Sequence, residues 1–239
     1  MAYKETSVPT IWNTKLTAND STAKETLGVI RVLDDGRAFR YIKMTGGALA
    51  MGQLAKPAAA VAITNLTAAS GNGPDGATTT IITDTGATMT ADQYKDWFFK
   101  CDTGMTGSTE AIKIVGNTAT TLTLEKSITT TLAVGGTDDG EILPPPGVCI
   151  ISAVTDASQP CSGVGVGTIT QNYHGWVQVR GFGNVLGTAA LTETQPITPG
   201  GAATAGQAAD GSAATDNVIG ICIAAGGANE YNLVDLKIA

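Results

Sequence analysis

Small side chains dominate this sequence and limit what it can fold into. Of its 239 residues, 34 are Ala, 30 are Gly and 36 are Thr, about 42 % of the chain. A further 64 residues carry large apolar side chains, which is enough to build a core. Many Gly and Thr residues together with few aromatic residues favour short strands joined by turns. The sequence therefore predicts an all-β fold, mainly an antiparallel β-sandwich or β-barrel built from β-hairpins.

Two hairpins and one pair of terminal strands are the clearest local signals. The Asp-Asp-Gly segment 34–36 lies between two alternating apolar runs, and these residues tolerate the positive φ angles of a tight turn. The alternating runs 110–115 and 121–125 flank a Gly-Asn pair and predict a second hairpin. Near the end of the chain, 218–223 and 232–238 are predicted to pair as strands.

One short helix and an N-terminal arm complete the predicted elements. Thr90 and Gln93 have the spacing of a capping box, which predicts a short helix through about Trp97. Residues 1–26 are polar and show no regular period, so they are predicted to form an extended arm. The remaining residues, 27–239, are predicted to form a β-rich body.

Two segments of this body differ from the rest. Residues 77–146 are predicted to be an inserted β subdomain, because a dense turn signal at 70–76 precedes them and three prolines at 144–146 end them. Residues 193–217 contain mainly Thr, Pro, Gly, Ala, Asp and Ser. This composition buries little apolar area, so the segment is predicted to be a long surface loop.

The charge balance argues against nucleic acid as a partner. The chain has 14 basic and 21 acidic side chains and a formal net charge of −7. Phosphate binding needs clustered Lys and Arg. The closest basic residues alternate with apolar ones and are Arg31, Arg37, Arg40 and Lys43. No run of 18 apolar residues occurs and 1–26 lacks the apolar region of a secretory signal, so we expect synthesis in the cytoplasm and no membrane partner.

No residue pattern in the sequence is typical of catalysis or of metal or cofactor binding. His174 is the one histidine and stands beside no nucleophile motif. The Gly-rich run 163–167 lacks the spacing of a dinucleotide loop and precedes a strand former. The acidic run 138–141 lacks the pattern of a calcium loop and is predicted to be a solvated turn. We therefore predict a protein that is not an enzyme and has no catalytic, cofactor-binding or metal-binding residues.

Cysteines and strand aromatics are predicted to lie in the core. No Cys-x-x-Cys pair occurs, so structural zinc is not expected, and the sequence leaves the disulfide state open. Trp176 and Phe182 stand at strand spacing, where aromatic residues usually belong to the core. The cysteines read as small buried apolar residues; they are Cys101, Cys149, Cys161 and Cys222.

Eight strand-forming stretches, spread over most of 27–239, can be compared as a group with known families. They are 27–41, 48–54, 92–97, 110–117, 121–124, 173–179, 219–223 and 231–238. Together these stretches resemble the head decoration, or cement, proteins of tailed bacteriophages, a family of virion structural proteins.

The resemblance implies a non-enzymatic virion protein that binds the outside of the assembled capsid. Its partners would be the major capsid protein, whose subunit contacts it stabilises, and further copies of itself in a homo-oligomer, with a trimer as one candidate. Ile11 and Trp12, the apolar pair of the arm, are the predicted partner contacts. The alternatives are a tail, neck or head-fibre component and a carbohydrate-binding adhesion module. Trp12, Trp97 and Trp176 are the tryptophan candidates for stacking on sugars.

Overall fold

The protein consists of β-strands in all elements that the structure describes. The computed structural model describes residues 16–68, 79–84, 88–101, 111–128, 138–152, 158, 160–200, 205–211 and 216–238. Sixteen strands are assigned in these ranges, which confirms the predicted all-β fold. The chain divides into two compact units: unit 2 is Ala59–Pro145, and unit 1 is the chain up to Ala58 and from Pro146 onward.

Unit 1 contains ten strands in one sheet, and β4 to β9 belong to unit 2. The ten are β1 (Ile30–Val32), β2 (Ala38–Gly46), β3 (Leu54–Pro57), β10 (Val148–Ile151), β11 (Gly163–Gly165), β12 (His174–Leu186), β13 (Pro196–Pro199), β14 (Ala208–Asp210), β15 (Gly220–Ala224) and β16 (Tyr231–Lys237). Their order in the sheet is β1-β2-β10-β3-β11-β12-β16-β15-β13-β14. Because β12 also pairs with β2, the five strands β2, β10, β3, β11 and β12 close into a ring.

The long strand β12 connects this ring to an open sheet. Its first half pairs with β2, and the second half, from Arg180 to Leu186, pairs with β16. Three groups of buried side chains fill unit 1. The group of the ring is Ile42, Met44, Leu49, Ala55, Cys149, Ile169 and Val177. The group of the open sheet includes Val164, Val185, Ile197, Cys222, Val234 and Leu236. The third group is Leu16, Phe39, Tyr41 and Trp176.

Unit 2 is a closed six-stranded barrel. Its strands are β4 (Val61–Ala68), β5 (Thr79–Asp84), β6 (Phe98–Cys101), β7 (Ile112–Asn117), β8 (Thr121–Ile128) and β9 (Asp138–Leu143). They pair in the order β4-β5-β8-β7-β6-β9, β9 pairs back with β4, and these pairings are antiparallel. Closure gives each strand a neighbour on both sides. Its buried side chains include Ile63, Leu66, Ile82, Phe99, Ile112, Ile114, Leu122 and Ile142.

The predicted hairpins are present. Strands β1 and β2 pair antiparallel around the Asp-Asp-Gly turn, where Gly36 has a φ of 83°. Strands β7 and β8 form the second hairpin, and β15 pairs with β16 as predicted for the terminal strands. In each case the pairing joins neighbours in sequence, so turn chemistry and alternation were sufficient to predict it.

The predicted helix after Thr90 is wrong. Residues 91–96 form successive turns, with backbone hydrogen bonds of 3.0 to 3.3 Å between residues three apart. The Gln93 side chain accepts a bond from the Thr90 N–H at 2.9 Å, which is one half of a capping box. However, Asp92 and Asp96 have φ angles of 57° and 68°. A right-handed helix does not contain such angles, so the capping signal begins a turn that the backbone does not continue.

Residues 193–217, predicted to be a surface loop, contain strands β13 and β14. Ile197 and Ala208 from these strands are fully buried. Strand β13 pairs with β15, and β14 extends the sheet beyond it. The small residues of this segment gave no strand pattern in the sequence. They still form strands here, because larger residues elsewhere in the chain supply most of the apolar contacts of the sheet.

Two further boundaries differ from the predictions. The acidic run 138–141 belongs to strand β9, which pairs with β4 and β6, and does not form a solvated turn. The compact inserted unit begins at Ala59 rather than at residue 77, because β4 pairs with β5 and β9 inside the barrel. Both differences arise from pairings between strands that are distant in sequence.

Candidate interaction surface

The single histidine has structural contacts. His174 begins β12, its Nδ1 lies 3.2 Å from the carbonyl oxygen of Asp20, and its ring stacks on Tyr41 with centroids 6.1 Å apart. Burial lowers the pKa of His174 below its ordinary value. The backbone groups of Asp20 and His174 also bond each other, at 2.8 and 3.0 Å. The histidine thus helps to hold the segment that precedes β1 against β12.

Buried thiols behave as apolar residues in unit 1. Cys149, Cys161 and Cys222 are buried and form no disulfide. Burial raises the pKa of Cys149 to about 11 and that of Cys161 to about 12, so both remain protonated near neutral pH. The side chain of Cys101 lies outside the described residues. Among the residues that are described, no group of three His, Cys, Asp or Glu side chains could hold a metal ion.

The described tryptophans are parts of the core. Trp97 and Trp176 are 8 % and 4 % exposed, and each packs against a tyrosine, with ring centroids 5.2 Å and 5.1 Å apart. Neither therefore offers an exposed ring for stacking on a sugar. Trp12, the third candidate, lies outside the described residues.

The described part of the predicted arm, residues 16–26, packs against the rest of unit 1. Leu16 is 6 % exposed and packs with Phe39, Tyr41 and Trp176. The Asn19 side-chain amide donates a 2.8 Å hydrogen bond to the Thr170 hydroxyl. The predicted partner contacts Ile11 and Trp12 lie outside the described residues. An experiment on the arm must therefore leave Leu16 in place.

Large apolar side chains are exposed on unit 1. In the described part of unit 1, these residues are Ile30, Val32, Met51, Phe182, Val218, Ile221, Ile223, Tyr231 and Leu233. Several of them come from three neighbouring strands of the open sheet, β12, β16 and β15. We call the five exposed side chains on these strands the apolar face; they are Phe182, Ile221, Ile223, Tyr231 and Leu233.

Strand register brings the apolar face together. Phe182 and Ile221 both pair with Asp235, one from each side, so they lie in one row across the sheet. Leu233 and Tyr231 follow at two-residue steps along β16, which places them on the same side as Asp235. The intervening residues of β16, such as Val234, point into the core. The alternation that builds the core therefore also builds the apolar face.

A depression adjoins the apolar face. Its volume is about 250 Å³, and its lining includes Met51, Val164, Val166, Phe182, Asn184 and Leu233. At the edge of the face, the Tyr231 ring lies over Gly52, where an added Cβ would be 2.6 Å from a ring carbon. Gly52 has a φ of 76°. The glycine thus allows the aromatic ring to rest directly on the backbone.

Opposite charges lie at the two ends of β16. Lys237 ends the strand, pairs in register with Arg180 of β12, and lies 3.8 Å from the carboxylate of Asp235. Glu230 immediately precedes the strand, and its carboxylate accepts a hydrogen bond from the Gly227 N–H. The two ends of β16 therefore differ in charge, with basic residues at one end and an acidic residue at the other.

The comparisons identify no relative. No protein-family model matches the chain, and no match was found among curated proteins or among solved structures. The described residues include no helix long and apolar enough to cross a membrane. The surface itself is therefore the main structural guide to function.

The sequence analysis missed the apolar face. It predicted that Phe182 lies in the core with Trp176, but Phe182 is 61 % exposed. That prediction followed from Trp176, which is six residues from Phe182 and on the same side of a regular strand. The first half of β12 is buried on both faces, whereas only one face of its second half is buried, and Phe182 lies on the other face. A sequence pattern alone does not reveal this difference.

Proposed function

We propose that this chain is a non-enzymatic structural protein of tailed-bacteriophage particles that binds the outer surface of the assembled capsid. It stabilises contacts between major capsid protein subunits and acts as a homo-oligomer. The observation that carries the proposal is the apolar face of β12, β15 and β16, because contiguous exposed apolar side chains mark surfaces that bind other proteins. The resemblance of the strand-forming stretches to decoration proteins is the reason for proposing a phage capsid as the particle to which the chain binds.

The charge of the chain supports a position on the outside of the shell. A net charge of −7 keeps a protein soluble and repels it from packaged DNA. In an oligomer, several weak contacts also reinforce one another, since the first contact raises the effective concentration for the next. The protein can therefore stabilise a capsid without high affinity at any single contact.

The arm is the proposed capsid contact, with Ile11 and Trp12 as its apolar anchors. The test is deletion of residues 2–15, which leaves the buried Leu16 in place. We expect the truncated protein to fold and to self-associate normally but to be lost from purified particles. A double variant, Ile11→Ala with Trp12→Ala, should have the same effect, whereas Asn13→Ala with Thr14→Ala should not. Undiminished occupancy of the capsid after the deletion would contradict this role of the arm.

Copy number distinguishes decoration from other virion roles. A protein that covers the capsid is present in hundreds of copies per particle, in order of magnitude, because the shell repeats each site by symmetry. A neck, tail or head-fibre component is present in far fewer copies. Quantitative mass spectrometry of purified particles, with the major capsid protein as internal standard, measures this ratio. A ratio of a few copies per particle would favour the tail, neck or head-fibre role.

A further inference from the structure

We propose that the apolar face binds the same face of a second copy of the chain, about a two-fold axis that crosses the strands near Leu233. The inference deepens the proposed function and rests on its homo-oligomer, for which it names the contact surface and the symmetry. Two observations carry it: the charge at the ends of β16, and the shape of the face beside Phe182.

Charge selects the direction of the axis. When two sheet faces pack together, a two-fold axis lies between them, either along the strands or across them. An axis along the strands would place Lys237 and Arg180 against the same basic residues of the second copy. An axis across the strands reverses the second copy, so that Lys237 of each copy faces Glu230 of the other. The second arrangement pairs opposite charges at both ends of the interface.

Position along β16 then places Leu233 near the axis. Leu233 lies about midway between Glu230 and Lys237, so an axis that pairs these two residues passes close to it. With the axis there, the Tyr231 hydroxyl of one copy lies opposite the Asp235 carboxylate of the other. The hydroxyl is a donor and the carboxylate an acceptor, so the polar groups within the apolar face are also complementary.

The shape of the face is complementary to itself. A two-fold interface uses the same patch on both copies, so a protruding side chain and the depression that receives it must lie on one surface. Phe182 is largely exposed and forms one wall of the depression of about 250 Å³. An enclosed apolar cavity of roughly 150 Å³ holds a benzene ring, so this larger open depression has room for the phenyl ring of a second copy.

The first test is the mass of the full chain in solution. Sedimentation velocity over a wide range of concentration should show reversible conversion of the 24.2 kDa monomer to a dimer. Phe182→Ser combined with Leu233→Thr should leave a monomer with an unchanged circular dichroism spectrum. Val115→Ser, an exposed apolar position in the barrel, is the matched control and should dimerise as the original chain does.

The second test is a charge exchange that fixes the axis. Lys237→Glu alone and Glu230→Lys alone should each weaken dimerisation by about tenfold or more, because each places like charges together. The double variant restores opposite charges and should regain most of the affinity. Both residues are exposed, so these variants also test the interface without relying on a change in the apolar face.

Each remaining outcome overturns the inference. A monomer at all concentrations, a trimer, a dimer unaffected by the Phe182 and Leu233 changes, or a double charge variant weaker than both single ones would each contradict it. Different outcomes would contradict the proposed function. A dimer that is absent from particles contradicts the function alone, whereas a trimer found in hundreds of copies on the capsid contradicts the two-fold contact alone.

Discussion

The open sheet of unit 1 and the closed barrel of unit 2 differ in how many large apolar side chains they expose. In the barrel, Val115 is the one large apolar residue among the described side chains that is exposed. In the part of unit 1 that the structure describes, nine are exposed, and five of these form the apolar face. Both units use the same two-residue alternation of strands. Their difference is that the barrel closes on itself, whereas the sheet of β12, β16 and β15 leaves an apolar surface uncovered.

This difference indicates where partners bind. A closed barrel pairs each strand on both sides and leaves no open sheet edge for another chain. An open sheet with apolar residues on its outward side gains stability when another protein covers it. We therefore propose that unit 1 carries the interaction surface, and the predictions below test this contrast from the largest expected effect to the smallest.

The largest effect on the free energy of unfolding is expected from truncating side chains that point into the core. The two units should behave alike in this respect. Leu236→Ala in unit 1 and Ile114→Ala in unit 2 each remove a fully buried side chain. Each should lower the free energy of unfolding by about 2–5 kcal/mol. Chemical denaturation followed by circular dichroism measures both values. A cost near zero for either variant would show that its strand does not pack as the structure has it.

A smaller loss is expected from Gly52→Ala. The new Cβ would meet the Tyr231 ring at 2.6 Å and require a φ of 76°, so we expect a cost of about 1–3 kcal/mol. Gly36→Ala is the matched control, since Gly36 has a φ of 83° but nothing within 4 Å of the added atom. Denaturation should show a smaller loss for the control. Equal losses would mean that the Tyr231 ring does not rest on Gly52.

A pH-dependent loss is expected in unit 1 and not in unit 2. Burial lowers the pKa of His174, so the unfolded chain binds a proton more readily than the folded chain. The stabilisation is present above the ordinary histidine pKa of about 6.5 and is lost as the pH falls below it. Hydrogen exchange at pH values on either side should show weaker protection around β12 at the lower pH, after correction for the intrinsic exchange rate.

The barrel is the internal control for this pH effect, because His174 is the one histidine of the chain. Protection of β7 and β8 should not change over the same window. His174→Gln should remove the additional sensitivity of β12. Equal pH sensitivity in both units, or the same sensitivity after His174→Gln, would exclude the histidine as its cause.

The smallest effect on folding is expected from outward side chains. Phe182→Ser and Val115→Ser should each change the free energy of unfolding by less than about 0.5 kcal/mol in dilute protein. Both residues are exposed, so neither change opens a cavity. Thermal denaturation at low concentration measures this. A loss of several kcal/mol for Phe182→Ser would place that side chain in the core, as the sequence analysis predicted, and would remove the apolar face.

Local signals predicted much of the fold. The Asp-Asp-Gly turn, the hairpin of β7 and β8 and the terminal pair β15 and β16 depend on residues close in sequence, and all three are present. The burial of Trp176 also followed from strand spacing.

Features that depend on distant pairing were not predicted. The parallel contact of β2 with β10 and the closure of β9 onto β4 each join segments far apart in the chain. The strands within 193–217 pair locally, but their small residues gave no strand pattern. Phe182 is exposed because only one face of the second half of β12 is buried, whereas both faces of its first half are buried. The candidate surface could therefore not be read from the sequence, although the residues that form it have a strand pattern.

Covalent footprinting of side chains tests the central claim most directly, namely that the apolar face is covered by protein in the working state. Hydroxyl-radical labelling should be compared between the dilute isolated chain and the chain on purified phage particles. In the dilute chain, Phe182, Tyr231, Leu233 and the barrel residue Val115 should all be labelled, since all four are exposed. We expect labelling of Phe182, Tyr231 and Leu233 to fall sharply on particles. Labelling of these three residues at the same level in both states would contradict the account.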